Sequence, residues 1–342
     1  MPLPLSRTTI AAFPSIAIPM QQTLLGAPWL IAHRSMLGIN QPYKITLNGQ
    51  DYVLWQNEQG KIFALDNICP HRQAPLSNGK ICRKRNTIAC PIHTLEFDGE
   101  GKYHHQGKPS VRPLVKPLDI VVMGDCIWTY GGHEPKRNIP NSIQRIAQDY
   151  EFFGVTQERT IHASFLDSLW IYYDFDHQSS VHQDMLQIER NEITQLASTG
   201  YSLEVTHEVI RSKNTIPELL SNPALLSLPQ VMQISVSYTF PSLMMLSTQA
   251  RIGDYVQVIV LYPESDRRTK LFELVFCNLK QLQFLKPVLK PLMRKAIAKT
   301  EDQDIAAVES LYPRQKARIQ LPGDRVTRYM EKLYAEWEGS GE

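Results

Sequence analysis

The chain has 342 residues, of which 43% are hydrophobic and 20% charged, with a formal net charge of +2. That length has room for two separate cores, and the near-neutral balance excludes a nucleic-acid binder acting through bulk charge. Five cysteines (Cys69, Cys82, Cys90, Cys126 and Cys277) are too few, and odd in number, for a secreted disulfide framework, and they suit a reducing compartment.

In chain order, "MPLPLSRTTIAAFPSIAIPM" is broken by Pro2, Pro4, Pro14 and Pro19 and lacks a basic region before a clean apolar run, so it does not read as a signal peptide. Residues 1–42 are expected to pack as an N-terminal segment on the larger domain. From Tyr43 the text turns to short strands: "YKITLNGQDYVLWQNEQGKIFALDN" alternates around the turn pairs Asn48-Gly49 and Gln59-Gly60. Similar segments continue through "TIACPIHTLEFDGEGKY" and "LDIVVMGDCIWTYGG", which makes residues 43–135 a small all-β domain. "GGHEPKRNIPNS" follows as a polar linker.

Residues 136–342 form the second domain. It carries a helix-like stretch, "TIHASFLDSLWIYYDFDHQSSVHQDML". Long β-type segments come next: "YSLEVTHEVIRS", "VMQISVSYTF", "LMMLSTQA", "YVQVIVLYP" and "KLFELVFCNL". Two helical segments close the chain, "LKPLMRKAIAKTEDQDIAAVESLY" and "DRVTRYMEKLYAEW". Antiparallel strands with helices grouped at the ends make an α+β fold. In "LFELVFCNLKQLQFLKPVLKPLM", Lys280, Lys286 and Lys290 interrupt the apolar run before the roughly 18 residues that a bilayer span needs. The protein is therefore expected to be soluble and cytoplasmic.

Two knuckles carry metal-ligand chemistry. "CPHRQAPLSNG" joins Cys69 to His71, and "CPIH" joins Cys90 to His93. Thiolates paired with imidazoles select zinc or an iron–sulfur cluster over hard cations. Zinc fingers keep their cysteines and histidines in separate pairs, whereas each knuckle here mixes one of each. That arrangement resembles a Rieske [2Fe–2S] centre, in which two histidines replace two cysteines on one iron. The resemblance implies that Cys69, His71, Cys90 and His93 bind the cluster. Ala74 and Ile92 stand where respiratory-type members carry a disulfide, so the similarity is to the low-potential domains that feed oxygenases. Thr94 and Leu95 depart from the Gly-Trp common in that second loop, while Phe97, Asp98 and Gly101 match it.

A second constellation, "YYDFDHQSSVHQD", spaces Asp174, His177 and His182. Two imidazoles and a carboxylate make the facial triad of non-haem Fe(II) oxygenases. On an ideal helix two residues five apart point about 140° from each other, so the local helix must be irregular for both histidines to meet one ion. With both constellations, the chain resembles the catalytic α subunit of Rieske non-haem iron oxygenases, in particular the α-only homotrimeric ring-hydroxylating and demethylating members. That family's second domain is a helix-grip, START-like fold.

The resemblance implies a [2Fe–2S] cluster and one Fe(II) per subunit, the iron held by His177, His182 and a downstream aspartate. Asp304 fits the family register through Gln303, Ile305, Val308 and Glu309, with Asp302 the rival and Glu301–Asp302 readable as a solvated helix start. It also implies that Asp174, the motif's Asp, bridges His93 of a neighbouring subunit to His177, while the motif's leading Asn is missing here, where Ile171 stands. The activity it implies is hydroxylation or oxidative demethylation of a small organic substrate with O2, driven by a separate ferredoxin or flavin reductase. No membrane or nucleic-acid partner is expected. No GxGxxG marks a nucleotide domain of the chain's own, and Lys80, Arg83, Lys84 and Arg85 offer an acidic redox partner a docking patch. Phe240, Leu243, Met244 and Met245 read either as pocket lining or as core. The competing reading is a Rieske-type electron-transfer or redox-sensing protein without mononuclear iron, with a zinc-stabilised binding module as a third.

Overall fold

The computed structural model describes residues 23–339 apart from 217, 218, 220–224, 226, 227, 252, 280, 281 and 316. Residues 1–22 of the expected 1–42 segment lie outside the described residues; residues 23–42 are described. Strand β1 (Trp29–His33) pairs antiparallel with β11 (Cys126–Thr129), which also pairs with β10 (Ile120–Met123). The N-terminal β domain therefore starts near residue 29, and a boundary at 43 cuts through one of its sheets. Trp29, Leu30, Ile31 and Ala32 are all essentially inaccessible. A strand buried on both faces shows no alternation, so period-two reading passes over it.

Strands β2 (Tyr43–Leu47), β3 (Gln50–Gln56) and β4 (Ile62–Asp66) form the expected meander. Leu47 pairs with Gln50 across Asn48 (φ 47°) and Gly49 (φ 76°), the left-handed pair that a two-residue hairpin turn demands. A five-stranded sheet follows: β5 (Lys80–Cys82), β6 (Thr87–Ala89), β7 (Glu96–Phe97), β8 (Lys102–His105) and β9 (Lys108–Pro113). Its own small core gathers Val53, Trp55, Leu65, Leu76, Ile88 and Phe97 around Cys69 and Cys90.

After the linker, α1 (Ser142–Asp149) leads into one antiparallel sheet of eight strands. They are β12 (Glu151–Val155), β13 (Arg159–Ile161), β14 (Ile188–Thr199), β15 (Ser202–Arg211), β16 (Val231–Thr239), β17 (Leu243–Ala250), β18 (Gly253–Ser265) and β19 (Arg268–Asn278). The order is β12-β19-β18-β17-β16-β15-β14, with β13 also on β19. Strands β12, β13 and β14 went unread in the sequence; most of β14 is half-exposed or exposed and mixes charged with apolar residues.

The helix-like stretch is three pieces: α2 (Phe165–Tyr173), α3 (Gln178–Val181) and α4 (Gln183–Leu186). The Ser164 hydroxyl caps α2 by accepting from the Asp167 amide (3.1 Å). At the other end Asp174 leaves helical geometry, and its Oδ1 accepts from the Asp176 amide (2.9 Å), a local turn that competes with helix continuation. The long helix α5 (Lys286–Glu309) and α6 (Asp324–Gly339) complete the domain. Glu301 to Asp304 lie in the interior of α5, not at a helix start, so the dipole argument for a solvated acidic first turn does not apply.

The break after α2 is held from β14 and β15. His207 donates from Nδ1 to Asn191 Oδ1 (2.6 Å), and Asn191 Nδ2 donates to the Phe175 carbonyl (2.8 Å). The Phe175 ring meets the buried His207 edge-on at 4.7 Å. Burial lowers the His207 imidazole to about 4, whereas an unfolded histidine titrates near 6.5. Between those values the unfolded chain binds a proton that the folded chain refuses, so stability falls as pH drops through the window. Urea unfolding at pH 7.5 and 5 is expected to show this loss, and His207→Gln to flatten it by up to about 2 kcal/mol.

Candidate active site and metal centres

The two Cys–His knuckles prove to be one backbone motif used twice. In the first, the Cys69 amide donates to Ala74 O and the Gln73 amide to Cys69 O, both at 2.9 Å. In the second, the Cys90 amide donates to Leu95 O (2.8 Å) and the Thr94 amide to Cys90 O (3.0 Å). The matching turns bury both thiols, with Cys69 1% and Cys90 2% exposed, while His71 and His93 stay exposed. The two Nδ1 atoms face each other at 3.2 Å, so both lone pairs can address one ion. The residues present thus fit a cluster with a thiolate side buried in protein and an imidazole side facing out. The Cys69 thiol is pushed up by burial and by Cys90 beside it, so metal binding there would have to displace a firmly held proton.

In each knuckle the residue four after the cysteine is left-handed: Gln73 and Thr94 both have φ 54°. This explains why glycine suits the position of Thr94, since a β-branched residue is strained there. Around the loops, Arg85 holds Glu96 through two hydrogen bonds, so of the basic patch Lys80, Arg83 and Lys84 remain as exposed charges without an ion pair among the described residues.

The second group sits at the breaks between α2, α3 and α4. His177, His182 and Asp304 bring their ligand atoms within 4.8 Å of one another. Asp304 Oδ1 lies 3.4 Å from His177 Nε2 and 3.1 Å from His182 Nε2. Tautomers follow from the far side of each ring. His177 donates from Nδ1 to the Asp174 carbonyl (2.5 Å), and His182 donates from Nδ1 to Gln303 Oε1 (2.9 Å). Gln303 is oriented in turn by donating to Asp184 Oδ1 (2.6 Å). Both Nε2 atoms therefore present lone pairs to a carboxylate oxygen that has no hydrogen-bond partner of its own. Two lone pairs and a buried carboxylate call for a cation, and the set fits one divalent iron with open positions. Burial opposes ionisation of Asp304; without a metal, protons taken up by the two facing histidines outweigh it and hold its carboxyl below the usual range.

Asp302 points elsewhere, pairing with Arg159 at 3.2 Å. Asp174 touches His177 through its main-chain carbonyl; its carboxyl accepts from Asp176 and is pushed up by burial. Gln303 and Asp184 were not foreseen as orienting groups, because nothing in the sequence pairs residues 119 apart.

The triad opens onto a cavity of about 220 Å³ between the sheet and α5. Met232, Ile234, Met244, Leu246 and Ile259 line it from alternate positions of β16, β17 and β18. Met244 does so, whereas Phe240, Leu243 and Met245 do not, as the two-residue period of β17 requires. Polar side chains interrupt the apolar wall, among them Gln257 and Glu273. Gln257 donates to Glu273 Oε2 (3.0 Å). Burial, reinforced by nearby Glu301, pushes the Glu273 carboxyl far up, and Glu301 itself is raised by burial to about 7.

Against known proteins, residues 28–118 match the Rieske [2Fe-2S] domain family. The chain carries a Rieske domain and is a relative of Rieske oxygenases. It is 27% identical over 173 residues to aminopyrrolnitrin oxygenase of Pseudomonas fluorescens, a match spanning 47% of each chain. It is 24% identical to 4beta-methylsterol monooxygenase of Methylococcus capsulatus, over 73% of this chain and 70% of that one. Among solved structures, dicamba monooxygenase bound to dicamba superposes with a TM-score of 0.74 at 20% identity, covering 93% of this chain and all of the other. The Rieske domain holds the two knuckles, and the second domain is the sheet-dominated α+β unit of that fold.

The strain at Thr94 is testable. Thr94→Gly in the Rieske domain is expected to stabilise the cluster loop by about 1 kcal/mol, read as a higher temperature for loss of the cluster's visible absorption.

Proposed function

We propose that this protein is the terminal oxygenase component of a multi-protein system. It would use O2 and electrons from a separate ferredoxin or flavin reductase to hydroxylate or oxidatively demethylate a small organic substrate. The observation that carries the proposal is the meeting of two imidazole lone pairs with the unpartnered oxygen of Asp304, at the edge of an apolar cavity. When bound, the cluster held by Cys69, His71, Cys90 and His93 supplies single electrons, and an iron held by His177, His182 and Asp304 supplies oxygen activation.

The protein's own groups do the rest. Asp174 O and Gln303 Oε1 fix the two imidazoles in the tautomer that leaves Nε2 free. The methionine- and isoleucine-lined wall excludes water and favours an apolar substrate. Gln257 and Glu273 form the polar spot that would orient a hydroxyl, carbonyl or ether on that substrate. This reading is consistent with the names of two of the similar proteins, a 4beta-methylsterol monooxygenase and a dicamba monooxygenase bound to dicamba.

By the same resemblance we infer an α-only trimer in which the cluster of one subunit serves the iron of the next, with the Asp174 carboxyl between them. A heterologous ring of this kind closes on itself.

Metal analysis with turnover tests the proposal. The purified protein is expected to hold about three irons per chain, two of them in the cluster. His177→Ala and Asp304→Ala are each expected to lose the third iron and substrate-dependent NADH and O2 consumption with a surrogate reductase, while keeping the visible spectrum of the cluster. Asp302→Ala should keep all three irons. Two irons in the wild type would instead indicate an electron carrier.

A further inference from the structure

Helix α5 has two apolar faces, and the oxygenase reading uses only one. Met293, Ala296, Ile297, Thr300 and Asp304 face the cavity. On the other side, Phe284 in the preceding turn and Pro287, Val288, Pro291 and Leu292 are exposed, Phe284 by 73% and Val288 by 60%. At about 100° per residue the two sets are centred roughly 150° apart, so the outward set is a separate stripe and not a fringe of the core.

Charge accompanies the stripe. From residue 282 to 300 the chain has Lys286, Lys290, Arg294, Lys295 and Lys299 and no acidic residue, within a protein whose net charge is only +2. Lys286 pairs with Glu151, and Lys299 pairs with Asp184 (2.7 Å). Lys290, Arg294 and Lys295 have no ion pair among the described residues. An exposed apolar ridge with unneutralised cations on its flanks and at its C-terminal end has the composition of a helix that lies in a lipid–water interface. It is not a span, since no described helix is long and apolar enough to cross a membrane.

We propose that the 284–295 segment docks this protein on anionic lipid surfaces. Apolar side chains enter the acyl boundary while the exposed Arg294 and Lys295 meet the headgroup charge. The docked helix also walls the cavity, so an apolar substrate dissolved in lipid would be taken up where the enzyme sits. This last step rests on the oxygenase reading, whereas the docking does not.

The test is flotation of the iron-loaded protein with phosphatidylcholine vesicles, with and without phosphatidylglycerol. The wild type is expected to float with the anionic vesicles, and added salt to release it. Val288→Glu/Leu292→Glu and Arg294→Gln/Lys295→Gln should each weaken that binding by at least about tenfold. All forms should keep the cluster's absorption and the same mass in solution. His177→Ala should float like the wild type, which separates this proposal from the fate of the oxygenase reading. A wild type that stays in solution overturns the proposal, as do variants that bind unchanged. A drop in assembly mass for the Glu variant without lipid also overturns it, by making the stripe a contact between copies of this chain.

Discussion

Three groups that repel or ignore one another in the absence of a cation are held together in the second domain: two unprotonated Nε2 atoms and a buried carboxylate oxygen. Bringing them together is unfavourable unless a metal repays it, because a buried charge needs a partner and a lone pair supplies none. Much of the surrounding architecture can be understood as the means of holding this arrangement. The helix must stop at Asp174 so that its carbonyl is free to fix His177, and it must break again at His182 so that the second ring turns toward the first. Asn191 and His207 fasten that broken segment to the sheet. The interior of α5 then supplies Asp304 and Gln303 from consecutive positions, one toward the ion site and one behind His182.

The Rieske domain solves a related problem with different means. Its ligands come from two copies of one tight turn, and each turn depends on a left-handed residue after the ligands. The thiols are buried and the imidazoles exposed, an asymmetry that suits electron entry from outside and an insulated inner iron. The two centres therefore differ in what limits them. The cluster is governed by backbone geometry within about 25 residues of sequence, and the triad by packing between elements more than 100 residues apart.

The cavity shows how a sheet divides labour. Alternate residues of β16, β17 and β18 line it; the intervening residues pack into the core on β18, as Val256, Val258 and Val260 do, but face solvent on β16, as Val231, Gln233 and Ser235 do. Gln257 and Glu273 fall on the cavity side through the same alternation. Their polarity there, against an otherwise apolar wall, gives the pocket a direction as well as a size.

The sequence by itself marked the two Cys–His knuckles as candidate cluster ligands, because a knuckle places Cys and His by local turns whose spacing is visible in the text. It also suggested a two-domain layout and made legible the strands whose faces differ in polarity. It marked His177 and His182, and it favoured Asp304 over Asp302 through the resemblance alone. Tertiary structure decided the remainder. It moved the start of the β domain to Trp29, since a strand buried on both sides carries no alternating signal. It turned an expected helix start at Glu301 into the middle of α5, because the Pro and Lys residues upstream are tolerated on a helix with two apolar faces. It also assigned the orienting work to Gln303 and Asp184 and put Asp174's carbonyl, not its carboxyl, against His177. Which atom of a side chain meets which partner depends on rotamer and packing across distant segments, and no local pattern of residues encodes that.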